Sequence, residues 1–302
     1  MNGSPRVISR ATLLVLFSAC CFGSIPILIT LATRSGARLV DVLAWRYLLA
    51  SLLLVVVSGG LSAVLAPGRR AWPVLVFAGG GQAAIAFVSL SALRYIPAAT
   101  LTFLFYTYPA WLAVMSAVRG AERITGRRAA ALGLSLAGIA LMVGMPGAGG
   151  LHPIGALLAL SSALIYAVYI PMIDRLGRDI PPAITSLYAS AGAALVLTVV
   201  AVAQGGLALR FAPIGWMMIA VLAVFSTVLA FVAFLRGLSE IGPVRTAIVS
   251  TVEPFWTALM GSVVLGQVIG PRTLVGGMLI ATAVIVLQLG GVRPGVAAEV
   301  HG

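Results

Sequence analysis

Residues 90–115 read LSALRYIPAATLTFLFYTYPAWLAVM, and residues 235–260, which follow 145 positions later, read LRGLSEIGPVRTAIVSTVEPFWTALM. Seven of the 26 aligned pairs are identical, including Pro109 with Pro254 and the tryptophans two positions after each proline. Because proline and tryptophan are rare in the middle of apolar runs, coincidence explains this match poorly. The sequence predicts an internal duplication.

Apolar segments continue on both sides of these stretches, separated by short clusters of polar, Arg, Gly and Pro residues. Each segment holds 17 to 24 residues, and a bilayer core of ~30 Å needs roughly 20 helical residues to cross it. We therefore predict an all-α polytopic membrane protein with ten transmembrane helices. The predicted spans are Ala11–Thr33, Val42–Leu65, Trp72–Leu93, Ala98–Val118, Ala129–Met145, Pro153–Ile173, Pro182–Ala203, Pro213–Leu235, Thr246–Gly266 and Thr273–Gly291.

The composition excludes an ordinary soluble protein. Of the 302 residues, 61% are hydrophobic and 9% are charged, and the mean hydropathy is +1.13. In soluble domains about 25% of residues are charged. The predicted loops are too short to hold a catalytic or nucleic-acid-binding domain. Function is therefore expected within or between the helices, with the lipid bilayer and a small-molecule substrate as partners and no nucleic acid.

All 19 basic residues are arginines, and the net charge is +12. With the N-terminus in the cytoplasm, thirteen arginines fall in cytoplasmic segments and five in outer loops. The positive-inside rule then predicts that both termini are cytoplasmic. We interpret the basic balance as the topology of a multi-pass protein of a bacterial inner (plasma) membrane.

The duplication places five spans in each repeat, 11–145 in the first and 153–291 in the second. Because five is an odd number, the second repeat enters the membrane from the opposite side, and the two repeats are predicted to be inverted. Inverted repeats are typical of transporters with a substrate site near the midplane. The pattern therefore predicts a secondary transporter that works by alternating access through a central cavity.

Four prolines inside the predicted spans are candidate hinges: Pro26, Pro109, Pro171 and Pro254. A proline removes one helical hydrogen bond and clashes with the preceding turn. We expect Pro109 and Pro254 to kink the fourth and ninth helices and to free carbonyls toward a shared cavity. Pro26 and Pro171, which also align under the shift, form a second, weaker pair.

Polar and aromatic side chains within the spans are the candidate substrate contacts. They are Ser24, Gln82, Tyr106, Tyr108, Trp111, Tyr166, Tyr169, Ser226, Thr227, Glu253 and Trp256. Hydroxyl and amide groups in a membrane can pair with another helix as well as with a substrate. Aromatic rings also serve as core or interface residues. Both interpretations stay open for this set.

Two ionisable groups lie within predicted spans, where a charge at the helix centre costs at least ~2.5 kcal/mol. Arg46 is about one turn into the second span, and its long side chain could extend to the outer surface. Glu253 is short and directly precedes Pro254. It could stay protonated, pair with an arginine, or titrate as a coupling group.

The sequence predicts no metal, no cofactor and no enzyme active site. Cys20 and Cys21 are adjacent, and Cα atoms ~3.8 Å apart are too close for an ordinary disulfide. His152 lies in a loop and His301 in the tail. Most of the seven acidic residues fall in loops, in the tail or at span edges, so a membrane-embedded enzyme is only a distant alternative.

Small residues recur at helical spacing in the fifth and tenth spans. They are Ala129, Gly133 and Ala137 in one, and Thr273, Gly277 and Ala281 in the other. Such stripes pack helices against each other or against another subunit. The choice between a monomer and a homodimer stays open.

Several motifs resemble the repeat signature of the drug/metabolite transporter superfamily, in its EamA-type branch. The first copy has Leu93-Arg94-Tyr95-Ile96-Pro97-Ala98-Ala99-Thr100, Tyr108-Pro109-Ala110-Trp111 and Gly120-Ala121-Glu122-Arg123-Ile124-Thr125; the second has Leu238-Ser239-Glu240-Ile241-Gly242-Pro243, Glu253-Pro254-Phe255-Trp256 and Leu265-Gly266-Gln267. Gln267 departs from the usual pattern, because Glu122 stands at this place in the first copy. The resemblance implies ten helices in two inverted repeats and a cavity lined mainly by helices 1, 3, 4, 6, 8 and 9.

Within that branch the chain looks most similar to bacterial exporters of amino acids, including aromatic ones. The resemblance implies export of neutral or aromatic amino acids, with a multidrug or quaternary-ammonium carrier, or a carrier of other metabolites, as the alternative. Phosphorylated substrates would need several basic residues at the midplane, where only Arg46 is even partly available. A zwitterion, whose charges nearly cancel, fits these spans better.

Overall fold

A computed structural model describes residues 10–118, 125–143, 151–177 and 179–289, and every regular element in those ranges is helical. Six helical stretches there are long and apolar enough to cross a membrane: Arg10–Arg34, Leu39–Val57, Gly68–Arg94, Pro153–Gly177, Ala183–Ala203 and Pro213–Phe234. Shorter apolar helices cover Ala129–Leu141, Val252–Leu265 and Pro271–Val286. The prediction of an all-α polytopic membrane protein is confirmed. The count of ten spans and the inversion of the repeats stay predictions.

The first half of the chain contains nine α-helices and several tighter or wider turns in its described part. The α-helices are α1 (Arg10–Gly23), α2 (Ile25–Arg34), α3 (Leu39–Val57), α4 (Leu61–Leu65), α5 (Ala71–Pro73), α6 (Gly79–Ser91), α7 (Ala98–Phe105), α8 (Tyr108–Val118) and α9 (Gly126–Val143). Short 3₁₀ turns cover Gly68–Arg70 and Ala92–Arg94, and a π-helical segment covers Val74–Ala78.

The second half follows a similar order. Its α-helices are α10 (Pro153–Gly177), α11 (Pro182–Ala203), α12 (Pro213–Ala223), α13 (Ala230–Ser250), α14 (Val252–Leu265) and α15 (Pro271–Leu289). A second π-helical segment, Val224–Leu229, joins α12 to α13. The predicted third and eighth spans, which correspond under the shift of 145, therefore each contain one π segment. Such segments are rare in proteins, and those that do occur are often found at functional sites.

Three predicted spans are each interrupted by only one or two turn residues. The first is broken at Ser24, the fourth at Tyr106-Thr107 and the ninth at Thr251. The last two breaks correspond under the shift of 145, and each comes two or three residues before a proline, Pro109 or Pro254. A proline at the start of a helix needs no partner for its missing N–H, so each new helix begins where the proline fits.

Pro26 and Pro171 differ from each other, although they align in the sequence. Pro26 lies in the first turn of α2, directly after the break at Ser24. Pro171 lies inside α10, which runs on to Gly177 without interruption. Of the matched pair of hinges predicted from the sequence, only Pro26 adjoins a break. Pro171 does not, because one missing hydrogen bond does not by itself end a helix.

Two predicted span boundaries differ from the structure. The second helix ends at Val57 instead of Leu65, because Gly59 and Gly60 adopt positive φ angles of 93° and 90° and terminate it. Helical structure continues through residues 236–245, where polar residues predicted a loop. Polarity predicts contact with water, and it does not by itself stop a helix.

Equivalent helices of the two repeats pack against each other. Helix α3 packs on α11, and α9 packs on α15. Glycines allow the close approach: an added Cβ at Gly138 would lie 2.7 Å from the carbonyl oxygen of Gly276. Gly133, which belongs to the predicted small-residue stripe, has no such neighbour within 4 Å. The contact between α9 and α15 therefore uses a different face from the one predicted.

The loops at one end of the bundle are joined by polar contacts between the repeats. Arg38 forms an ion pair with buried Asp41 at 2.6 Å and also donates to the carbonyls of Gln204 and Gly206. The Trp45 indole donates to the carbonyl of Ala208 at 3.0 Å. These contacts hold the start of α3 against the segment that connects α11 and α12.

Candidate functional site

Tyr106 connects the breaks in the fourth and ninth spans. Its hydroxyl oxygen lies 2.7 Å from the carbonyl oxygen of Ser250 and 2.8 Å from Oε2 of Glu253. In an uninterrupted helix the Ser250 carbonyl would accept from residue 254, but Pro254 has no N–H to donate. The tyrosine therefore satisfies the carbonyl that the proline leaves free.

The Tyr106 hydroxyl lies within donating distance of two acceptors, the Ser250 carbonyl and the Glu253 carboxyl. A tyrosine hydroxyl has a single hydrogen. Tyr106 either shares this hydrogen between the two oxygens, or gives it to the carbonyl while a protonated Glu253 donates to the tyrosine oxygen. The protonation state of Glu253 therefore stays a prediction.

The break in the first span faces the same part of α14. The Trp256 indole donates to the Ser24 hydroxyl at 2.9 Å, and Ser24 donates to the carbonyl of Cys20 at 2.8 Å. The Thr257 hydroxyl donates to the carbonyl of Gly23 at 2.7 Å. The breaks in the first and fourth spans are thus each bonded to the predicted ninth span, which belongs to the other repeat.

A row of tyrosine rings leads away from Glu253. The centroid distances are 6.0 Å between Tyr106 and Tyr108, 4.8 Å between Tyr108 and Tyr166, and 6.0 Å between Tyr166 and Tyr169. Edge-to-face and offset arrangements at these distances are attractive. We call these four residues the tyrosine row. It joins the break in the fourth span to helix α10 of the other repeat.

The far end of the tyrosine row meets the third span. An added Cβ at Gly81 would lie 2.8 Å from the Tyr169 ring, so the ring lies directly against the glycine backbone. The neighbouring Gln82 donates from Nε2 to the Tyr47 hydroxyl at 3.0 Å. Through Gln82 the row continues to the second span.

The sequence allowed the Arg46 side chain to extend to the outer surface, but in the structure it does not do so. Its side chain is 5% exposed, and Nε donates to the Thr227 hydroxyl at 3.0 Å. Thr227 lies in the second π segment, where it donates to the carbonyl of Leu222. The guanidinium carbon lies 5.1 Å from the centre of the Tyr47 ring. Arg46 is thus turned inward, into contact with the eighth span.

Most of the sequence-predicted site residues meet in two groups. Ser24, Tyr106, Tyr108, Tyr166, Tyr169, Glu253 and Trp256 belong to the helix breaks and the tyrosine row, and Gln82 and Thr227 lie near Arg46. The indole nitrogen of Trp111 and the hydroxyl of Ser226 are buried, and they have no hydrogen-bond partner in the described part of the chain. Sequence reasoning did not assign Arg46, Tyr47 or Thr257 to the site. A lone charge in a span is a signal that could have included Arg46.

A small pocket of about 70 Å³ lies elsewhere, beside the segment that joins α14 to α15. Pro97, Thr100 and Gln267 are among its lining residues, and the predicted site residues are not. The side-chain oxygen of Gln267 accepts from the backbone N–H of Ala98 at 3.1 Å, at the start of α7. The residue that departs from the family pattern therefore ties the second repeat to the start of the fourth span.

Comparison with known proteins relates this chain to a family of transporters. The model of the EamA-like transporter family matches residues 9–144 and again 153–289. The "Uncharacterized transporter YcbK" of Bacillus subtilis (strain 168) is 26% identical over 287 residues, which is 90% of each chain. A protein crystal structure that shares 21% identity covers 92% of this chain and 96% of its own, with a TM-score of 0.62; at that identity it supports the fold alone.

Proposed function

Because this chain belongs to the EamA-like transporter family, we propose that it exports neutral amino acids with bulky or aromatic side chains across the bacterial inner membrane. The mechanism in this proposal is alternating access, with the two repeats exchanging conformations around a shared site. The observation that carries the proposal is the tyrosine row, with the carboxyl of Glu253 at one end and Arg46 near the other.

The charges of the site favour a zwitterion. In the described part of the spans, Arg46 is the one buried arginine beside the candidate site. One guanidinium cannot compensate a phosphate-bearing substrate such as a nucleotide sugar, which needs several basic groups. An amino acid brings one carboxylate, which a single guanidinium can compensate, and its ammonium group cancels the net charge of the molecule. Its apolar side chain would pack against tyrosine rings, which favour flat or bulky groups.

Glu253 has a coupling role within this proposal. Proton release and uptake at its carboxyl would drive the carrier through its cycle, because the charge of the carboxyl changes how strongly it attracts the Tyr106 hydroxyl, which also contacts the Ser250 carbonyl.

A quaternary-ammonium or multidrug carrier is the second candidate. Aromatic faces near a carboxylate attract organic cations, and the tyrosine row with Glu253 has this composition. Arg46 argues against it, because a buried guanidinium repels a permanent cation. The two candidates therefore differ in whether the substrate must bear a carboxylate.

Counterflow in proteoliposomes tests the proposal. Proteoliposomes that contain the purified carrier are loaded with each unlabelled compound, and uptake of labelled phenylalanine is measured. Phenylalanine, tryptophan and methionine are expected to drive uptake, and threonine is expected to do so more weakly. A nucleotide sugar and a quaternary ammonium compound serve as the competing classes. Preference for either of these two would contradict the amino-acid proposal.

A further inference from the structure

Arg46 is a buried charge whose counter-ion the described residues do not supply. The side chain is 5% exposed, and the ion pair found in the described ranges joins Arg38 to Asp41 instead. Ionisable groups within membrane spans are costly, and one without a counter-ion is therefore a candidate for a functional role.

The guanidinium of Arg46 still has most of its donors to offer. It carries five N–H groups, and Nε uses one of them on Thr227. The two terminal nitrogens, with four hydrogens, have no acceptor among the described residues. Within the described part of the chain, this region of the site therefore has more hydrogens to donate than there are acceptors beside it.

The groups around Arg46 share the same excess of donors. Tyr47 accepts from Gln82, so the tyrosine hydrogen remains free to donate. Ser226, next to Thr227 in the π segment, is 1% exposed, and its hydroxyl has no partner. Donors without acceptors, grouped near one cation, are what an anionic oxygen ligand requires.

We infer that Arg46 binds the carboxylate group of the transported molecule, with Tyr47 beside it. The inference rests on the proposed function for the identity of that molecule as an amino acid. The two terminal guanidinium nitrogens match the two oxygens of one carboxylate. Gln82 and Gly81 connect this position to Tyr169, so the side chain of the bound amino acid lies along the tyrosine row.

Ligand binding to the purified full-length carrier tests the inference without requiring transport. Thermal stabilisation is titrated with 3-phenylpropionate, which has the carboxylate and no amine, and with phenethylamine, which has the amine and no carboxylate. Arg46→Gln is expected to weaken 3-phenylpropionate binding by about tenfold to hundredfold and to leave phenethylamine binding unchanged. Arg46→Lys should give an intermediate loss, because it keeps the charge and loses the two-pronged geometry.

A matched variant separates this effect from general damage. Arg210→Gln removes an exposed arginine and should leave both affinities unchanged. If Arg46→Gln does not fold, Arg46→Lys decides, and equal affinities in Arg46→Lys and the wild type for both compounds would overturn the inference.

The inference and the proposed function can fail separately. If Arg46→Gln loses 3-phenylpropionate binding but no amino acid drives counterflow in the wild type, the carboxylate site stands and the amino-acid proposal is wrong. If phenylalanine drives counterflow and Arg46→Gln binds 3-phenylpropionate as the wild type does, the amino-acid proposal stands and Arg46 has a structural role only.

Discussion

Tyr106 is the residue whose hydrogen bonds join the break in the fourth span to the break in the ninth span, one in each repeat. One hydroxyl serves both the free carbonyl of Ser250 and the carboxyl of Glu253. The Ser250 carbonyl is available to the tyrosine because Pro254 has no N–H to donate to it. The chemistry of the site therefore depends on individual hydrogens, and single-atom substitutions can test it.

Glu253→Gln should flatten the pH dependence of transport. The glutamine amide can accept from the Tyr106 hydroxyl or donate to it in place of the carboxyl, so the folded structure should be preserved. The amide cannot ionise, and any step that needs proton release from residue 253 is lost. Transport by both proteins is measured at pH values from about 5 to about 9, and the melting temperature serves as the check on folding.

The matched control is Glu240→Gln, which changes an exposed glutamate on α13. Its pH profile should follow that of the wild type. An unchanged rate and pH profile in Glu253→Gln would assign Glu253 to helix bonding alone.

Tyr106→Phe should destabilise the protein by about 1–3 kcal/mol, because it leaves the Ser250 carbonyl and the Glu253 carboxyl without their partner in a buried place. Tyr95→Phe is the control, since Tyr95 is 40% exposed and its ring stacks on His152. Thermal unfolding in detergent compares the two. Equal melting temperatures would mean that water or another group replaces the hydroxyl.

At the scale of elements, glycine contacts set how closely helices of the two repeats approach. Gly192 of α11 lies against the carbonyl of Leu75 and against Gly79, with no room for a methyl group. Gly192→Ala should separate α11 from the third span and cost about 1–3 kcal/mol. The obstacle is backbone, which cannot rotate away as a side chain can.

For Gly80→Ala, which lies on the neighbouring helix, we expect the opposite effect on stability. A Cβ at Gly80 would meet nothing within 4 Å, and alanine favours a helix over glycine by about 0.5–1 kcal/mol. This variant should keep or raise the melting temperature while Gly192→Ala lowers it. A loss of stability in both would show that the third span tolerates no added side chain.

At the scale of the whole molecule, the arginine distribution predicts where the termini lie. Both termini should be cytoplasmic, and a reporter fused after Gly302 should be active only on that side. Single cysteines placed between Met145 and His152, in a chain whose free Cys20 and Cys21 have been replaced, should react with an impermeant thiol reagent from outside. Labelling from the cytoplasm would overturn the inverted repeats.

Residues of unusual chemistry made much of the architecture predictable. Pro109 and Pro254 marked the two spans that break at matching positions, because the missing N–H is a property of the residue itself. Glu253 stood out as a short carboxyl far from water. These features follow from the type of a single residue and its depth in the membrane, and the hydropathy of the surrounding sequence indicates that depth.

Other features depend on direction around a helix axis, which the sequence of an all-round apolar helix does not encode. Arg46 could face outward or inward, and only packing against the eighth span decides it. Pro26 and Pro171 match in sequence, yet only the first adjoins a break. The tyrosine row needs rings from the fourth and sixth spans to meet, and no spacing within either span predicts that.

The hydrogen bond from Trp256 to Ser24 has an optical consequence. It places an indole at the point where the breaks in the first and ninth spans meet. Indole emission shifts in wavelength when its N–H exchanges a buried partner for water, so any movement that parts these two helices would change the fluorescence. With the other four tryptophans replaced by phenylalanine, the protein would carry a built-in reporter of its own conformational cycle, readable in real time and without an attached dye.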